Sequence, residues 1–150
     1  MYFTPETLRS TLACAGLERL GMGDLITETL KPPRWLPAAT QGTIGIQCRT
    51  GDRAVAELIE PLKDPEAVLS TRAERAVATV LQGSCQVPLA VFAELDGGEL
   101  RISGMVGMPD GSVLVRGEQA GSSGEADRLS AAVADDLLSQ GAGRIIASLA

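Results

Sequence analysis

The residues best suited to covalent chemistry are the three cysteines, Cys14, Cys48 and Cys85, in a chain of 150 residues without histidine. Cys85 lies in the stretch LQGSCQVPLA, between a helical pattern and a strand pattern, where a ligand can reach its thiol. A Cys-His nucleophile is excluded because nothing in the chain supplies an imidazole base. The cysteines also lack the close pairing of zinc ligands, so no metal site is predicted, and their odd number argues against a disulfide framework.

A long helix is predicted to lead up to Cys85. Asp64 is a good N-cap, Pro65 suits the first helical position, and the apolar spacing predicts a helix from 65 to about 81. Gly83 is expected to stop it. The predicted apolar stripe contains Val68, Leu69, Ala73, Ala76, Val77, Val80 and Leu81.

An antiparallel meander is predicted after Cys85. Residues 87–95 and 99–108 flank a Gly-Gly turn and indicate a hairpin, and residues 112–120 are expected to add a third strand. Residues 125–139 form an amphipathic pattern, with Leu129, Val133, Leu137 and Leu138 expected to face inward, and the last residues indicate a further helical turn or two. The predicted fold class is therefore α+β, with a three-stranded antiparallel sheet packed against two or three helices.

The N-terminal part has a different organisation. Residues 5–30 predict two short helices, or a strand at 11–14 followed by helices, and the proline-rich residues 31–37 form a boundary. Residues 43–49 alternate as a strand does, and residues 51–62 have helical spacing. These pieces do not close into a sheet by themselves, which indicates parts of a larger arrangement.

The composition limits the partners. A formal net charge of −6 disfavours nucleic acid and anionic membranes, because the summed field repels phosphate. The sequence has no apolar run long enough to span a bilayer and no signal peptide pattern, so we predict a cytoplasmic protein.

Four strings in order carry a family resemblance: AGLERLG at 15–21, LPAATQGTIGIQCR at 36–49, AERA at 73–76 and GSCQVPLA at 83–90. Together they resemble the C-terminal half of porphobilinogen deaminase, also called hydroxymethylbilane synthase, over residues 12–150. The resemblance implies an enzyme that holds a dipyrromethane cofactor on a cysteine through a thioether. Four porphobilinogen units are added to this cofactor with loss of ammonia, and a linear tetrapyrrole is released by hydrolysis.

The resemblance also implies roles for particular residues. Cys85 takes the place of the cofactor-bearing cysteine, and thiolate addition to an electrophilic pyrrole carbon needs no histidine. Arg19 and Arg75 fall on positions that contact the growing pyrrole chain, whose acetate and propionate groups suit guanidinium forks. Gln41 and Gly42 fall on the segment that crosses between domains.

The implied domain organisation is incomplete. Residues 1–36 correspond to the tail of the family's second domain, residues 37–62 to the crossover and the tail of the first, and residues 63–150 to the C-terminal cofactor-attachment domain. The C-terminal sheet would thus be preceded by partial segments of two α/β domains. The family's catalytic aspartate lies outside the match, so no catalytic residue is assigned. The chain alone is expected to be inactive, with the N-terminal domain as its missing partner. The alternative is a stand-alone, non-catalytic ligand-binding or interaction module.

Departures from the family pattern and rival interpretations concern a few residues. Gln82 and Ser84 replace a glutamate and a glycine, and Thr40 stands where a glycine is usual. Because it is β-branched, Thr40 is predicted not to reach a positive φ. Arg75 has an alternative role in an ion pair with Glu74 or Glu66 on its own helix. Arg19 also has an alternative role, in a local ion pair or as a cap at the end of its helix.

Overall fold

The structure is a computed structural model, and it describes residues 11–82 and 87–149. It divides into two units, Met1–Lys31 and Pro32–Ala150. In the described part of the first unit, helix α1 spans Cys14–Arg19 and a 3-10 turn spans Gly23–Leu25. The structure therefore confirms the first of the two predictions for this region, two short helical segments, and shows no strand at 11–14.

The second unit begins with extended and turn residues and then forms two helices. Helix α2 spans Arg53–Ile59 and continues into a 3-10 turn at Glu60–Leu62, and helix α3 spans Pro65–Val80. The strand predicted at 43–49 is wrong, because these residues have no strand partner in the described chain. An alternating pattern alone does not make a strand, since a strand requires a neighbour to bond its backbone groups.

The predicted three-stranded antiparallel sheet is confirmed. Its strands are β1, Leu89–Asp96, β2, Glu99–Gly107, and β3, Leu114–Ser122, in the order β1-β2-β3. The third strand begins two residues later than predicted, because the Asp110 carboxylate accepts a hydrogen bond of 2.9 Å from the Ser112 amide and extends the turn.

Two helices cover one face of the sheet beside α3. Helix α4 spans Ala126–Ser139 and helix α5 spans Ala142–Ala147. Leu138 is exposed, contrary to prediction, because it lies beside the inward stripe and not on it. The buried residues of α4 are Ala126, Leu129, Ser130, Val133, Ala134 and Leu137.

A glycine in the central strand allows α4 to lie close to the sheet. A Cβ on Gly104 would lie 2.8 Å from Leu137 Cδ1 and 3.0 Å from Val133 Cγ1. The core between helix and sheet is therefore filled by side chains from α4 at a position where the strand contributes none. None of the described helices is long and apolar enough to cross a membrane.

Candidate functional site

Helix α3 carries Arg75, one of the predicted site residues. Asp64 caps the helix as predicted, with its Oδ1 accepting bonds from the amides of Glu66 and Ala67. Arg75 is exposed and has no ion-pair partner among the described residues. Arg72, one turn earlier, is bound to Asp127 at 2.6 Å. Of the two, Arg75 is thus the guanidinium free to bind a ligand carboxylate.

The helix and the strand predicted on either side of Cys85 are confirmed. Helix α3 ends at Val80 with its C-cap at Leu81, and β1 begins at Leu89. Gln82 follows the C-cap with a left-handed φ of 53°, a conformation that glycine adopts without strain. Cys85 itself lies outside the described residues.

Gln41 and Gly42 lie on an exposed turn, with Gly42 at a φ of 84°. The amide of Gln41 donates to the Ala38 carbonyl at 3.0 Å. Thr40 has a φ of 62°, so the prediction that it avoids positive φ is wrong. The strain of a left-handed non-glycine residue is offset here because the Thr40 amide is bound by a buried carboxylate.

That carboxylate belongs to Glu74, for which the sequence predicted no role beyond the alternative ion pair with Arg75. Glu74 is 7% exposed, and its two oxygens accept from the amides of Thr40 and, at 2.9 Å, Ala93. The alternative role of Arg75, an ion pair with Glu74 or Glu66, is not observed, because Glu74 faces the interior and neither carboxylate pairs with Arg75 in the described chain.

Burial raises the pKa of Glu74, while the hydrogen bonds from Thr40 and Ala93 partly oppose this. The sequence did contain a signal for its position. Glu74 precedes the buried residues Val77 and Leu81 by three and seven positions, which places it on the inward stripe of α3. A glutamate on such a stripe indicates a buried carboxylate that needs donors.

The structure connects some of the predicted site residues. Because Glu74 bonds to Thr40, the turn with Gln41 and Gly42 is attached to the helix that carries Arg75. Arg19 is exposed in the last turn of α1 and belongs to the other unit.

A small cavity elsewhere does not provide a better site. It has a volume of about 210 Å³ and is lined by Ser103, Arg116, Glu118 and Asp136, among others. Its polar groups are already bonded within the chain: Ser103 donates to Glu118, Arg116 donates to two backbone carbonyls, and Asp136 accepts from Gln140. The polar groups that could recognise a ligand there are therefore largely engaged within the chain.

The described residues also contain no group of three or more histidine, cysteine or acidic side chains that could hold a metal ion. Helix α3 instead carries the exposed guanidinium of Arg75, and it is followed in sequence by the thiol of Cys85. A guanidinium binds carboxylate-bearing ligands, and a thiol can form a thioether. Fold and site together define an α+β protein with a candidate site for an acidic organic ligand.

Two family models match the chain and narrow this class. Residues 7–57 match the model described as "Porphobilinogen deaminase, dipyromethane cofactor binding domain", and residues 68–139 match "Porphobilinogen deaminase, C-terminal domain". The two matches belong to one family and together cover most of the chain. The chain belongs to the porphobilinogen deaminase family, whose members are transferases of tetrapyrrole biosynthesis that bind porphobilinogen.

The matched cofactor domain supports dipyrromethane as the cofactor. Dipyrromethane carries acetate and propionate groups. The guanidinium of Arg75, which has no ion pair among the described residues, has the chemistry to bind such groups.

Proposed function

We propose that this chain is the cofactor-bearing, C-terminal portion of a hydroxymethylbilane synthase, with dipyrromethane attached to Cys85. The observation that carries the proposal is Arg75, an exposed guanidinium without an ion-pair partner in the described chain, on the helix that leads to Cys85. Arg75 and Arg19 would bind the acetate and propionate groups of the pyrrole chain. Gln41 and Gly42 would contribute from the crossover turn.

The covalent step assigned to Cys85 balances without a histidine base. A bond forms between Sγ and the aminomethyl carbon of a pyrrole, the carbon-nitrogen bond breaks, and the thiol proton leaves with the amine as ammonia. The guanidinium of Arg75 would hold the ring carboxylates and orient the reacting carbon toward the thiol. When bound, dipyrromethane supplies the pyrrole carbon to which porphobilinogen units are added.

We also propose that the 150-residue polypeptide alone does not polymerise porphobilinogen. The only buried carboxylate among the described residues is Glu74, and its oxygens are already occupied by two backbone amides. It is therefore unavailable to stabilise positive charge on a substrate. Ile44 and Leu58 are 89% and 76% exposed, which leaves the segment between the turn and α3 without a packed environment.

The proposed domain division follows the resemblance. Residues 1–36 would belong to the second domain, residues 37–62 to the crossover and first domain, and residues 63–150 to the C-terminal domain. The porphobilinogen-binding cleft would then require the N-terminal domain as its partner.

The proposal is tested by incubating the purified chain with porphobilinogen and measuring its intact mass. We expect no measurable turnover and a small fraction of protein carrying whole porphobilinogen units less ammonia, all at Cys85. Cys85→Ser should abolish the adduct, whereas Cys48→Ser should not. An adduct that persists in Cys85→Ser would refute the tether, and steady porphobilinogen consumption would refute the inactivity.

Arg75 is tested in the same assay with a matched control on its own helix. Arg75→Ala should lower the adduct fraction several-fold, because the ligand carboxylates lose their fork. Arg72→Ala should change it little, because Arg72 is already held by Asp127. Equal losses in both variants would show that helix charge, and not a specific contact, matters.

One observation favours the alternative of a stand-alone, non-catalytic module. Helices α3, α4 and α5 and the sheet bury a common apolar core, whereas α2 buries no residue. A self-contained C-terminal domain could act without chemistry. Under this alternative the mass stays unmodified at every cysteine, even when an N-terminal polypeptide of the family is added.

A further inference from the structure

The edge of the sheet at β1 is covered by the segment 37–43. Among the described residues strand β1 has only β2 as a neighbouring strand, so the backbone groups on its other side need other partners. The Val91 amide donates to the Pro37 carbonyl at 3.1 Å, and the Ala93 amide, two residues along, donates to Glu74. Both amides are thereby satisfied on the edge that lacks a strand.

Glu74 extends this connection to the turn. One carboxylate oxygen accepts from β1 and the other from the Thr40 amide, so a single side chain on α3 joins a strand to the segment beside it. Ala39 packs against the core next to this bond. A weaker contact, 3.4 Å between the hydroxyls of Thr71 and Thr43, joins α3 to the end of the segment.

The attachment ends abruptly after Thr43. Ile44 and Ile46 are 89% and 55% exposed, and residues 43–49 form no regular secondary structure. The segment 37–43 therefore belongs to the C-terminal core, while the residues that follow it do not.

We propose that Glu74 is a positioning residue that fastens residues 37–43 to α3 and β1, so that the turn with Gln41 and Gly42 moves as one body with the helix of Arg75. The pivot between this body and the chain that follows lies after Thr43. The attachment of this segment follows from the contacts described above. Its effect on ligand binding rests on the proposed function. This arrangement is incompatible with a flexible hinge at Gln41 and Gly42.

The test is amide hydrogen exchange by NMR on the full chain, with Glu74→Gln and the matched control Thr71→Val. Glutamine has one acceptor oxygen in place of two, and its NH₂ group would face one of the two backbone N–H donors. One of these amides therefore loses its hydrogen bond, and we expect at least tenfold faster exchange at Thr40 or Ala93. The amide of Ile102 in the central strand should change less, which separates local release from global unfolding. Thr71→Val should leave both amides unchanged.

The proposal is overturned if Glu74→Gln leaves both amides as protected as before, or accelerates Ile102 by the same factor. If Glu74→Gln does not fold, backbone ¹⁵N relaxation of the unaltered chain decides. Order parameters for 37–43 should equal those of β1 and fall after Thr43, and low values at Gln41 and Gly42 would refute the fastening. The mass of the Cys85 adduct is independent of this result, so the two proposals fail separately.

Discussion

The Glu74 carboxylate on α3 accepts a hydrogen bond of 2.9 Å from the backbone amide of Ala93 on β1. Because the same carboxylate also binds the Thr40 amide, it connects residues 34 and 19 positions away from it in sequence. A buried acid with backbone donors alone makes the C-terminal core sensitive to pH and to substitution.

Stability should depend on pH through Glu74. Burial raises its pKa above the ordinary value of 4.5, so the folded state holds the proton more tightly than the unfolded state. This contribution is fully present below the ordinary pKa and is lost as the pH rises through the raised one. The unfolding free energy of the natural chain minus that of Glu74→Gln should therefore fall as the pH rises from the ordinary pKa of 4.5 through the raised one.

The prediction concerns the difference in unfolding free energy between the natural chain and Glu74→Gln, because other acids change stability with pH in the opposite direction. The Arg101 guanidinium lowers the pKa of Glu118, so that contribution is lost as the pH falls. It cancels in the comparison with Glu74→Gln. Urea titrations at several pH values measure the difference, and a constant or rising value would contradict the prediction.

Replacing Thr40 with glycine should stabilise the chain. Left-handed backbone costs a β-branched residue about 1–2 kcal/mol of stability, and glycine removes this cost. Glycine in turn loses roughly 0.5–1 kcal/mol, because its unfolded chain has more conformational entropy. We expect Thr40→Gly to gain about 0.5 kcal/mol in urea unfolding, with the bond from its amide to Glu74 retained. The control Gly42→Ala, at a φ of 84°, should destabilise. A loss of stability in Thr40→Gly would mean that its side chain contributes more than its backbone conformation costs.

A methyl group at Gly104 should be poorly tolerated. The added Cβ would lie 2.8 Å from Leu137 and 3.0 Å from Val133, so these buried side chains, or α4 with them, must shift. Overpacking of this kind costs about 1–3 kcal/mol, measurable by urea or thermal unfolding. Gly45→Ala is the control, since no atom lies within 4 Å of a Cβ there. Equal effects at the two positions would show that glycine entropy, and not crowding, determines the result.

Two aspartate N-caps should differ in their importance. Asp64 caps α3, which contributes buried residues to the core, whereas Asp52 caps α2, which contributes none. Asp64→Ala should lower the unfolding free energy by about 1 kcal/mol. Asp52→Ala should leave global unfolding nearly unchanged, because α2 is not part of the packed core. A similar loss at both sites would indicate that α2 unfolds together with the core.

The sequence by itself determined the locally encoded features. The cap at Asp64, most of the stripe of α3, the Gly-Gly hairpin and the helix and strand on either side of Cys85 each depend on residues close together in the chain. The prediction was wrong for Val68 and Val80, which are exposed because they lie at the margin of that stripe. These signals predicted the α+β class and the antiparallel sheet. The family resemblance added the cofactor, which the matched family models support.

Tertiary structure decided the rest, because the interactions involved join distant residues. Whether residues 43–49 form a strand depends on a neighbouring strand, and the described chain provides none. The φ of Thr40 and the bonding partners of the Glu74 carboxylate depend on each other, since the amide of one is bound by the carboxylate of the other. No local pattern encodes a bond between residues that far apart. Only the tertiary structure therefore decides that Glu74 binds Thr40 and Ala93 and does not form an ion pair with Arg75.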